Sequence, residues 1–167
     1  MGYMGSGKST IGKELATVLN YKFLDLDDVI IEKEKNSISN LFMEKGEIYF
    51  RQKESEYLNE IINSSDDLVL ALGGGTPCYG NNISILSDEN IASIYLRLSI
   101  PFLTKRLYKE RLKRPLISHL DSEDKLQEFV GKHLFERSQY YNQAQYTIAA
   151  DNKSKKEILE AILMQLI

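Results

Sequence analysis

The chain has 167 residues, of which 43% are hydrophobic and 27% charged, with 21 basic and 24 acidic side chains and a net charge of −3. This length and composition fit one globular domain over residues 1–167 with a substantial core. The acidic balance gives no bulk positive field for nucleic acid, the single cysteine excludes an intrachain disulfide, and no apolar run reaches the roughly 18 residues of a membrane span. We expect a cytoplasmic protein with no nucleic-acid or membrane partner.

The predicted elements alternate between helices and short apolar strands. Apolar positions recur at helical spacing through KSTIGKELATVLN, and KFLDLD follows as a short strand that ends in carboxylates. Residues 26–62 predict a helical insertion, with short helices in DDVIIEKEKN and SISNLFMEKG and a longer one in EIYFRQKESEYLNEIINS. The later runs DLVLAL, IASIYLRL and QYTIA predict parallel strands that are buried on both faces.

The last third of the chain predicts three more helices. IPFLTKRLYK and DKLQEFVGKHLFERSQYY are separated by the polar stretch ERLKRPLISHLDSE, which Pro115 interrupts. We therefore predict a mobile lid segment over residues 109–123. The final helix begins at a capping box, Ser154-x-x-Glu157. Alternating strands and helices indicate an α/β fold with a parallel sheet.

A phosphate-binding loop lies at the start of the chain. Gly2 through Ser9 fit the pattern G-x-x-x-x-G-K-[ST], and an amphipathic helix follows directly. The glycines let backbone N–H groups surround phosphate oxygens, Lys8 can neutralise the β and γ phosphates, and the Ser9 hydroxyl can ligate Mg²⁺. This is the strongest chemical signal in the sequence, and it predicts nucleotide binding.

Two carboxylates follow the first predicted strand, in Asp25-Leu26-Asp27. Asp25 and Asp27 would point to opposite sides if the strand continued, so we predict different roles for them. At the carboxyl end of a strand beside the loop, one could hold Mg²⁺ through water and the other could accept a hydrogen bond from a substrate hydroxyl. Asp28 is the residue that we expect to cap the next helix.

Glycines and arginines complete the set of candidate site residues. Gly73, Gly74 and Gly75 follow the strand DLVLAL, where open α/β sheets bind ligands, and three consecutive glycines favour close approach of a ligand to the backbone. Arg51, Arg114 and Arg137 could recognise an anionic substrate through paired hydrogen bonds. For the two histidines, His119 and His133, we expect surface or packing roles, because neither has a paired nucleophile.

The ordered set of motifs closely resembles the shikimate kinase family, over essentially the whole chain. GYMGSGKST, FLDLD, GEIYFR, LALGGGTP, KRPLI and FERSQYY stand in the order and approximate spacing of that family. The resemblance implies a three-layer α/β/α phosphate-loop kinase fold with a five-stranded parallel sheet in the order 2-3-1-4-5. It also implies transfer of the γ-phosphoryl group of ATP to the 3-hydroxyl of shikimate in aromatic amino acid biosynthesis, and a monomeric enzyme.

The resemblance further assigns a role to each candidate residue. Catalysis would fall to Lys8, Asp27 and Arg114. Mg²⁺ would be held by Ser9 and, through water, by Asp25. ATP would be bound by Gly5, Ser6, Gly7, Lys8, Ser9, Thr10, Arg106 and Arg114. Shikimate would be bound by Asp27, Arg51, Gly73, Gly74, Gly75 and Arg137 within the insertion over residues 26–62 and the loops beside it.

Two alternative functions stay open at this point: another small-metabolite or nucleoside monophosphate kinase with this fold, and a nucleotide-binding regulatory protein without catalysis. One feature of the sequence favours the second. A phosphate loop normally follows a buried strand, whereas only Met1 precedes Gly2 here. We expect that several apolar residues lie upstream in the natural protein and supply that strand.

Overall fold

The fold is described from a computed structural model, over residues 1–64 and 67–166. Its main elements are α1 Lys8–Leu19, β1 Lys22–Asp25, α2 Leu26–Glu34, α3 Ile38–Ile62, β2 Leu68–Ala71, α4 Asn82–Leu86, β3 Ile94–Arg97, α5 Ile100–Glu110, α6 Glu123–Tyr141, β4 Tyr146–Ala149 and α7 Lys155–Leu166. Short 3-10 helices span Thr76–Cys78 and Arg111–Lys113. No helix among the described residues is long and apolar enough to cross a membrane.

The strands form two parallel pairs. β1 pairs with β2, from Lys22 opposite Leu68 to Asp25 opposite Ala71, and β3 pairs with β4 in the same direction. The predicted order 2-3-1-4-5 counts the upstream strand as strand 1. In that order β1 and β2 correspond to the neighbouring strands 2 and 3, and β3 and β4 correspond to the neighbouring strands 4 and 5. Since all observed pairings are parallel and helices connect the strands, the predicted α/β class is confirmed.

Met1 lies between the two pairs of strands. Its amino group donates to the Ile94 carbonyl, and its own carbonyl accepts from the Leu96 N–H at 3.0 Å. A cavity of about 820 Å³ separates β2 from β3, with mainly apolar residues of both strands among its lining. Within the described residues no strand fills this space. The upstream strand therefore stays a prediction.

Most helix ends agree with the sequence patterns. Ser154 and Glu157 form the predicted capping box at α7: the Ser154 N–H donates to Glu157 Oε2 at 2.7 Å, and the Glu157 N–H donates to Ser154 Oγ at 3.3 Å. The two helices predicted on either side of residue 46 are present as α3, which is interrupted at Gly46 with φ 81° and ψ 170°. A side chain rarely adopts this φ, so glycine permits the change of direction there.

Two groups of buried side chains hold the elements together. The larger lies among α1, α5, α6, α7 and the β3–β4 pair, and it includes Leu103, Leu107 and Val130. The smaller lies between α2 and α3 and is built on Leu26, Leu41, Phe50, Leu58 and neighbouring residues. The helical insertion over residues 26–62 thus has apolar packing of its own, which holds the part of α3 that carries Arg51 in place.

The predicted lid segment contains the 3-10 helix Arg111–Lys113 and the turns after it. Ile117 in this segment is completely buried against the larger group, while Leu112 and Leu116 are exposed. Ile117, together with the partly buried Leu120, therefore anchors the segment. Its movement as a lid stays a prediction.

Candidate active site

The phosphate loop is shaped by glycines in left-handed backbone conformations. Gly5 has φ 76° and Gly7 has φ 89°, and Gly7 precedes α1 without any side-chain cap on the first helical N–H groups. A Cβ on Gly5 would lie 2.9 Å from Leu107 Cδ2. The Ser6 hydroxyl is buried in the loop with no hydrogen-bond partner. Uncapped N–H groups at a helix N-terminus and an unsatisfied hydroxyl fit an anionic phosphate group.

Lys8 turns back onto its own loop. Its Nζ donates to the carbonyls of Gly2 at 2.8 Å and Tyr3 at 3.0 Å. Burial lowers the pKa of Lys8 to about 8, with Asp27 and Asp25 opposing the shift and Arg114 and Arg137 adding to it. Three cationic groups therefore act on the same small region, which favours a highly charged anion.

Ser9 and Asp25 meet directly beside the loop. The Ser9 hydroxyl donates to Asp25 Oδ2 at 2.6 Å, while Asp25 Oδ1 accepts the Asp27 N–H at 3.1 Å and caps α2. The prediction that Asp28 caps this helix was wrong, because the strand ends two residues earlier than KFLDLD suggests. The two oxygen donors suit Mg²⁺, which takes oxygen ligands and completes its shell with water and phosphate. Across residues 1–64 and 67–166, no group of three His, Cys, Asp or Glu side chains could hold a metal on its own.

Asp27 lies in the first turn of α2, among other acidic groups. Burial, together with the charges of Asp25 and Glu54, raises the pKa of Asp27 to about 6, and Lys8 opposes this shift. A Cβ at Gly73 would lie 3.1 Å from both Asp27 Oδ1 and Glu54 Oε1. Because glycine has no side chain, there is space at position 73 for a ligand beside Asp27. The Asp27 carboxylate is more basic than that of an ordinary aspartate.

Arg51 is held by a buried ion pair on α3. Its Nη1 donates to Glu54 Oε2 at 2.8 Å, and its guanidinium lies over the Tyr79 ring at 4.1 Å. Glu54 is only 1% exposed, and its other oxygen accepts from Thr76 Oγ1 at 2.6 Å. A Cβ at Gly75 would lie 2.6 Å from Arg51 Nη2. The orientation of Arg51 is therefore fixed, and the terminal nitrogens of its guanidinium lie against the backbone of Gly75.

Arg137 reaches the same loop from α6. A Cβ at Gly74 would lie 3.4 Å from Arg137 Nη1 and 3.4 Å from the Met4 backbone nitrogen in the phosphate loop. The Tyr141 hydroxyl, one turn along α6, donates to the Gly74 carbonyl. Gly74 is thus the point at which the phosphate loop, α6 and the triple glycine come together.

Each glycine of the triplet faces a different functional group. We call this region the triple-glycine pocket and define it as Gly73, Gly74 and Gly75 with the side chains that face them, namely Asp27, Arg51, Glu54 and Arg137. It borders the phosphate loop at Met4. A site for a small anionic molecule therefore adjoins a site for phosphate, as a phosphoryl-transfer enzyme requires.

The two other predicted arginines come from α5 and from the segment after it. Arg106 Nη1 donates to the Gly5 carbonyl at 2.8 Å. Arg114 pairs instead with Glu110 at 2.8 Å and is half-buried. The structure thus brings Arg106 to the loop directly, whereas Arg114 is bound within its own segment.

Comparison with known proteins agrees with this geometry. The family model described as shikimate kinase matches residues 4–167. The shikimate kinase of Flavobacterium johnsoniae is 48% identical over 98% of this chain and 94% of the relative. That of Flavobacterium psychrophilum is 46% identical over 97% of this chain and 94% of the relative. The chain belongs to the shikimate kinase family.

Solved structures of this family superimpose over nearly the whole chain. Shikimate kinase from Bacteroides thetaiotaomicron has a TM-score of 0.88 at 33% identity, over 99% of this chain and 93% of its own. Shikimate kinase from Acinetobacter baumannii, solved in complex with shikimate, has a TM-score of 0.84 at 32% identity, over 99% of this chain and 89% of its own. Family membership confirms the predicted phosphate-loop kinase fold and the predicted enzyme class, a phosphotransferase.

Three residues at this kinase site were missed by reasoning from the sequence: Glu54, Thr76 and Tyr141. For Glu54 a signal was present, because it lies three residues after Arg51 on a helix and between the buried residues Phe50 and Leu58. A carboxylate on an apolar helix face needs a partner, and Arg51 supplies it. Thr76 and Tyr141 gave no such signal, since their partners are distant in the sequence.

Proposed function

We propose that this chain transfers the γ-phosphoryl group of ATP to the 3-hydroxyl of shikimate, giving shikimate 3-phosphate and ADP. The observation that carries the proposal is the position of Gly74, where the Arg137 guanidinium and the phosphate loop both come within contact distance of one backbone position. Two anionic reactants bound on either side of this position would lie next to each other, and such proximity lowers the barrier of a two-substrate reaction.

The ATP side of the site is the phosphate loop and its neighbours. The N–H groups from Gly5 through Thr10 surround the phosphates. When ATP binds, Lys8 Nζ gives up its hydrogen bonds to the two loop carbonyls and donates to phosphate oxygens instead. Arg106 braces the loop through the Gly5 carbonyl and is the candidate to stack on adenine. Binding of phosphate favours the protonated form of Lys8, so its lowered pKa rises toward the ordinary value when ATP is present.

Ser9 and Asp25 are the groups that would hold Mg²⁺, Ser9 directly and Asp25 through water. Their oxygens already lie within hydrogen-bond distance, and both are hard donors that suit this cation. When bound, Mg²⁺ neutralises charge on the β and γ phosphates. The capping contact from Asp25 to the Asp27 N–H fixes the orientation of the carboxylate that the ion would use.

Arg51 and Arg137 bind the shikimate carboxylate, and the backbone from Gly73 to Gly75 approaches its ring. A planar guanidinium matches a carboxylate through two parallel hydrogen bonds. Glu54 holds Arg51 in place, and Arg137 supplies a second guanidinium for the carboxylate. The pocket therefore selects a small molecule with one carboxylate and several hydroxyls.

Asp27 orients the attacking hydroxyl. Its carboxylate accepts the hydrogen bond of the 3-hydroxyl and receives the proton as the new bond between oxygen and the γ-phosphorus forms and the bond to the leaving ADP oxygen breaks. With a pKa of about 6, Asp27 is ionised at neutral pH yet more basic than an ordinary aspartate. Lys8 and Arg114 stabilise the charge on the transferring group, and Arg114 must leave Glu110 to do so as the lid segment closes.

A coupled assay of ADP release tests the proposal. We expect turnover with MgATP and shikimate, and none above background with gluconate, AMP or CMP as acceptor. Turnover with one of those acceptors alone would show that this acceptor, and not shikimate, is the substrate. ATP binding without turnover on any acceptor would favour a regulatory protein. Gel filtration tests the accompanying prediction of a monomer. Cell fractionation tests the predicted cytoplasmic location and the prediction that neither nucleic acid nor membranes are partners.

A further inference from the structure

Tyr3 is a phosphate-loop side chain that the reaction described above does not use. It occupies one of the variable positions of the loop pattern, yet it is only 1% exposed. Its carbonyl accepts from Lys8 Nζ at 3.0 Å and from the Ser6 N–H at 3.2 Å. The backbone of Tyr3 is therefore part of the structure that holds Lys8.

The side chain of Tyr3 extends to α6. Its hydroxyl lies 3.2 Å from His133 Nδ1, and the two rings meet edge to face with centroids 6.2 Å apart. His133 also packs against Phe129, with ring centroids 4.5 Å apart. One turn after His133, the guanidinium of Arg137 lies 5.8 Å from the centre of the Tyr3 ring. Tyr3 thus connects the part of the loop that holds Lys8 with the part of α6 that carries Arg137.

We propose that His133 is a positioning residue, which sets the placement of the phosphate loop relative to α6 through its hydrogen bond with Tyr3. The inference rests on the proposed function, in which Lys8 binds ATP and Arg137 binds the acceptor. A shift of the loop along α6 changes the distance between the two reactants while leaving the groups that bind each of them intact. His133 therefore acts on the alignment of the phosphoryl group with the attacking hydroxyl.

The protonation states favour a hydrogen bond of defined direction. Burial raises the pKa of the Tyr3 phenol to about 12, so the phenol keeps its proton. Burial and the nearby Arg137 charge lower the pKa of His133, so the imidazole is neutral at pH 7.5. A neutral imidazole with its proton on Nε2 accepts from Tyr3 at Nδ1.

The expected effect is on kcat rather than on either KM. A hydrogen bond between neutral groups contributes about 0.5–1.5 kcal/mol, so it can favour the aligned placement of the loop over a shifted one by a factor of about two to ten. We expect Tyr3→Phe and His133→Leu each to lower kcat by about this factor, with the KM values for ATP and shikimate within about twofold of wild type. Because both variants remove the same bond, the double variant should lose no more than either single variant.

Two further variants separate positioning from packing. His133→Asn places an amide oxygen near the position of Nδ1, so we expect it to restore kcat to within about twofold of wild type. Lys132→Leu introduces the same leucine at the adjacent position of α6, where the side chain is 73% exposed and pairs with Glu128. This control should leave kcat unchanged.

The inference is overturned if Tyr3→Phe leaves kcat unchanged, or if the losses of the two single variants multiply in the double variant. It is also overturned if His133→Asn is as slow as His133→Leu, since the ring and not the acceptor would then matter. Tyr3→Phe removes one oxygen, so it tests the bond even if His133→Leu does not fold. The wild type is assayed first: absence of shikimate turnover there contradicts the proposed function, whereas normal wild-type turnover with unaffected variants contradicts this inference alone.

Discussion

In the phosphate loop the proposed binding groups are backbone N–H groups of consecutive residues, whereas in the adjoining triple-glycine pocket they are side chains from separate helices. The loop obtains its shape from Gly5 and Gly7, whose left-handed conformations are set by residue type. The pocket obtains its shape from Asp27 on α2, Arg51 and Glu54 on α3, and Arg137 on α6, each placed against one glycine.

Because of this difference, the two regions should respond differently to amino-acid substitution. A site made of backbone tolerates side-chain changes except where a side chain itself carries charge to the ligand, as we propose for Lys8. A site made of converging side chains depends on each contact that positions them, including contacts far from the ligand. Variants in the loop should therefore change the phosphoryl-transfer step, and variants in the pocket should change recognition of shikimate.

The largest effect should come from Lys8→Met. It removes the ammonium group that we propose neutralises the phosphates while keeping a side chain of similar length, so we expect kcat/KM to fall about a thousandfold. Lys13→Met on the exposed face of α1 is the matched control and should stay within about twofold of wild type. Steady-state kinetics with MgATP and shikimate measure both. A loss below about tenfold in Lys8→Met would show that the backbone alone supports transfer.

Arg114→Ala should have the next largest effect. Loss of one charge-stabilising donor lowers kcat by about a hundredfold, while shikimate affinity changes little because Arg114 is paired with Glu110 in its own segment. The adjacent Lys113→Ala is the control, since it removes an exposed charge from the same segment. If kcat of Arg114→Ala equals that of wild type, Arg114 has no part in the reaction.

Gly75→Ala tests the pocket without removing any charged group. The added Cβ would lie 2.6 Å from Arg51 Nη2 and must displace the guanidinium, so we expect the KM for shikimate to rise about tenfold and the KM for ATP to change less than about twofold. The control is Gly131→Ala on α6, whose added Cβ would meet only Ile100 Cδ1 at 3.8 Å, an ordinary contact. Equal rises in both KM values would mean that the loop and pocket do not bind separately.

The smallest effect concerns folding stability at Asp27. Its folded pKa is about 6, against 3.8 for an ordinary aspartate, so between these values the folded protein binds more protons than the unfolded chain. Ionisation therefore costs stability, and this cost grows as pH rises from about 4 to about 6 and persists above it. We expect Asp27→Asn to be more stable than wild type at pH 7.5, by about 1 kcal/mol.

Urea denaturation at several pH values measures this difference. The gain of Asp27→Asn should be complete above about pH 6 and should disappear as the pH falls toward 4, because the wild-type carboxyl is then protonated as well. A gain that is independent of pH would mean that burial of the charged carboxylate is not its cause.

The sequence by itself determined the features that depend on residue type and local spacing. The phosphate loop, the helix after it, the four observed strands, the break at Gly46 and the capping box at Ser154 were all predicted from patterns within a few residues. Such features follow from backbone conformational limits and hydrogen bonding between neighbours in the chain. The family motifs gave the enzyme class for the same reason, because each motif is a short local pattern.

Only the tertiary structure decided which groups meet. The residues alone predicted different roles for Asp25 and Asp27 without deciding which carboxylate has which role, and they placed the helix cap at Asp28. The structure shows that Asp25 caps α2 and bonds to Ser9 while Asp27 faces Gly73. The contact between Tyr3 and His133 spans 130 residues of sequence. Pairings of this kind depend on how helices pack against the sheet, and no local pattern in the chain records that packing.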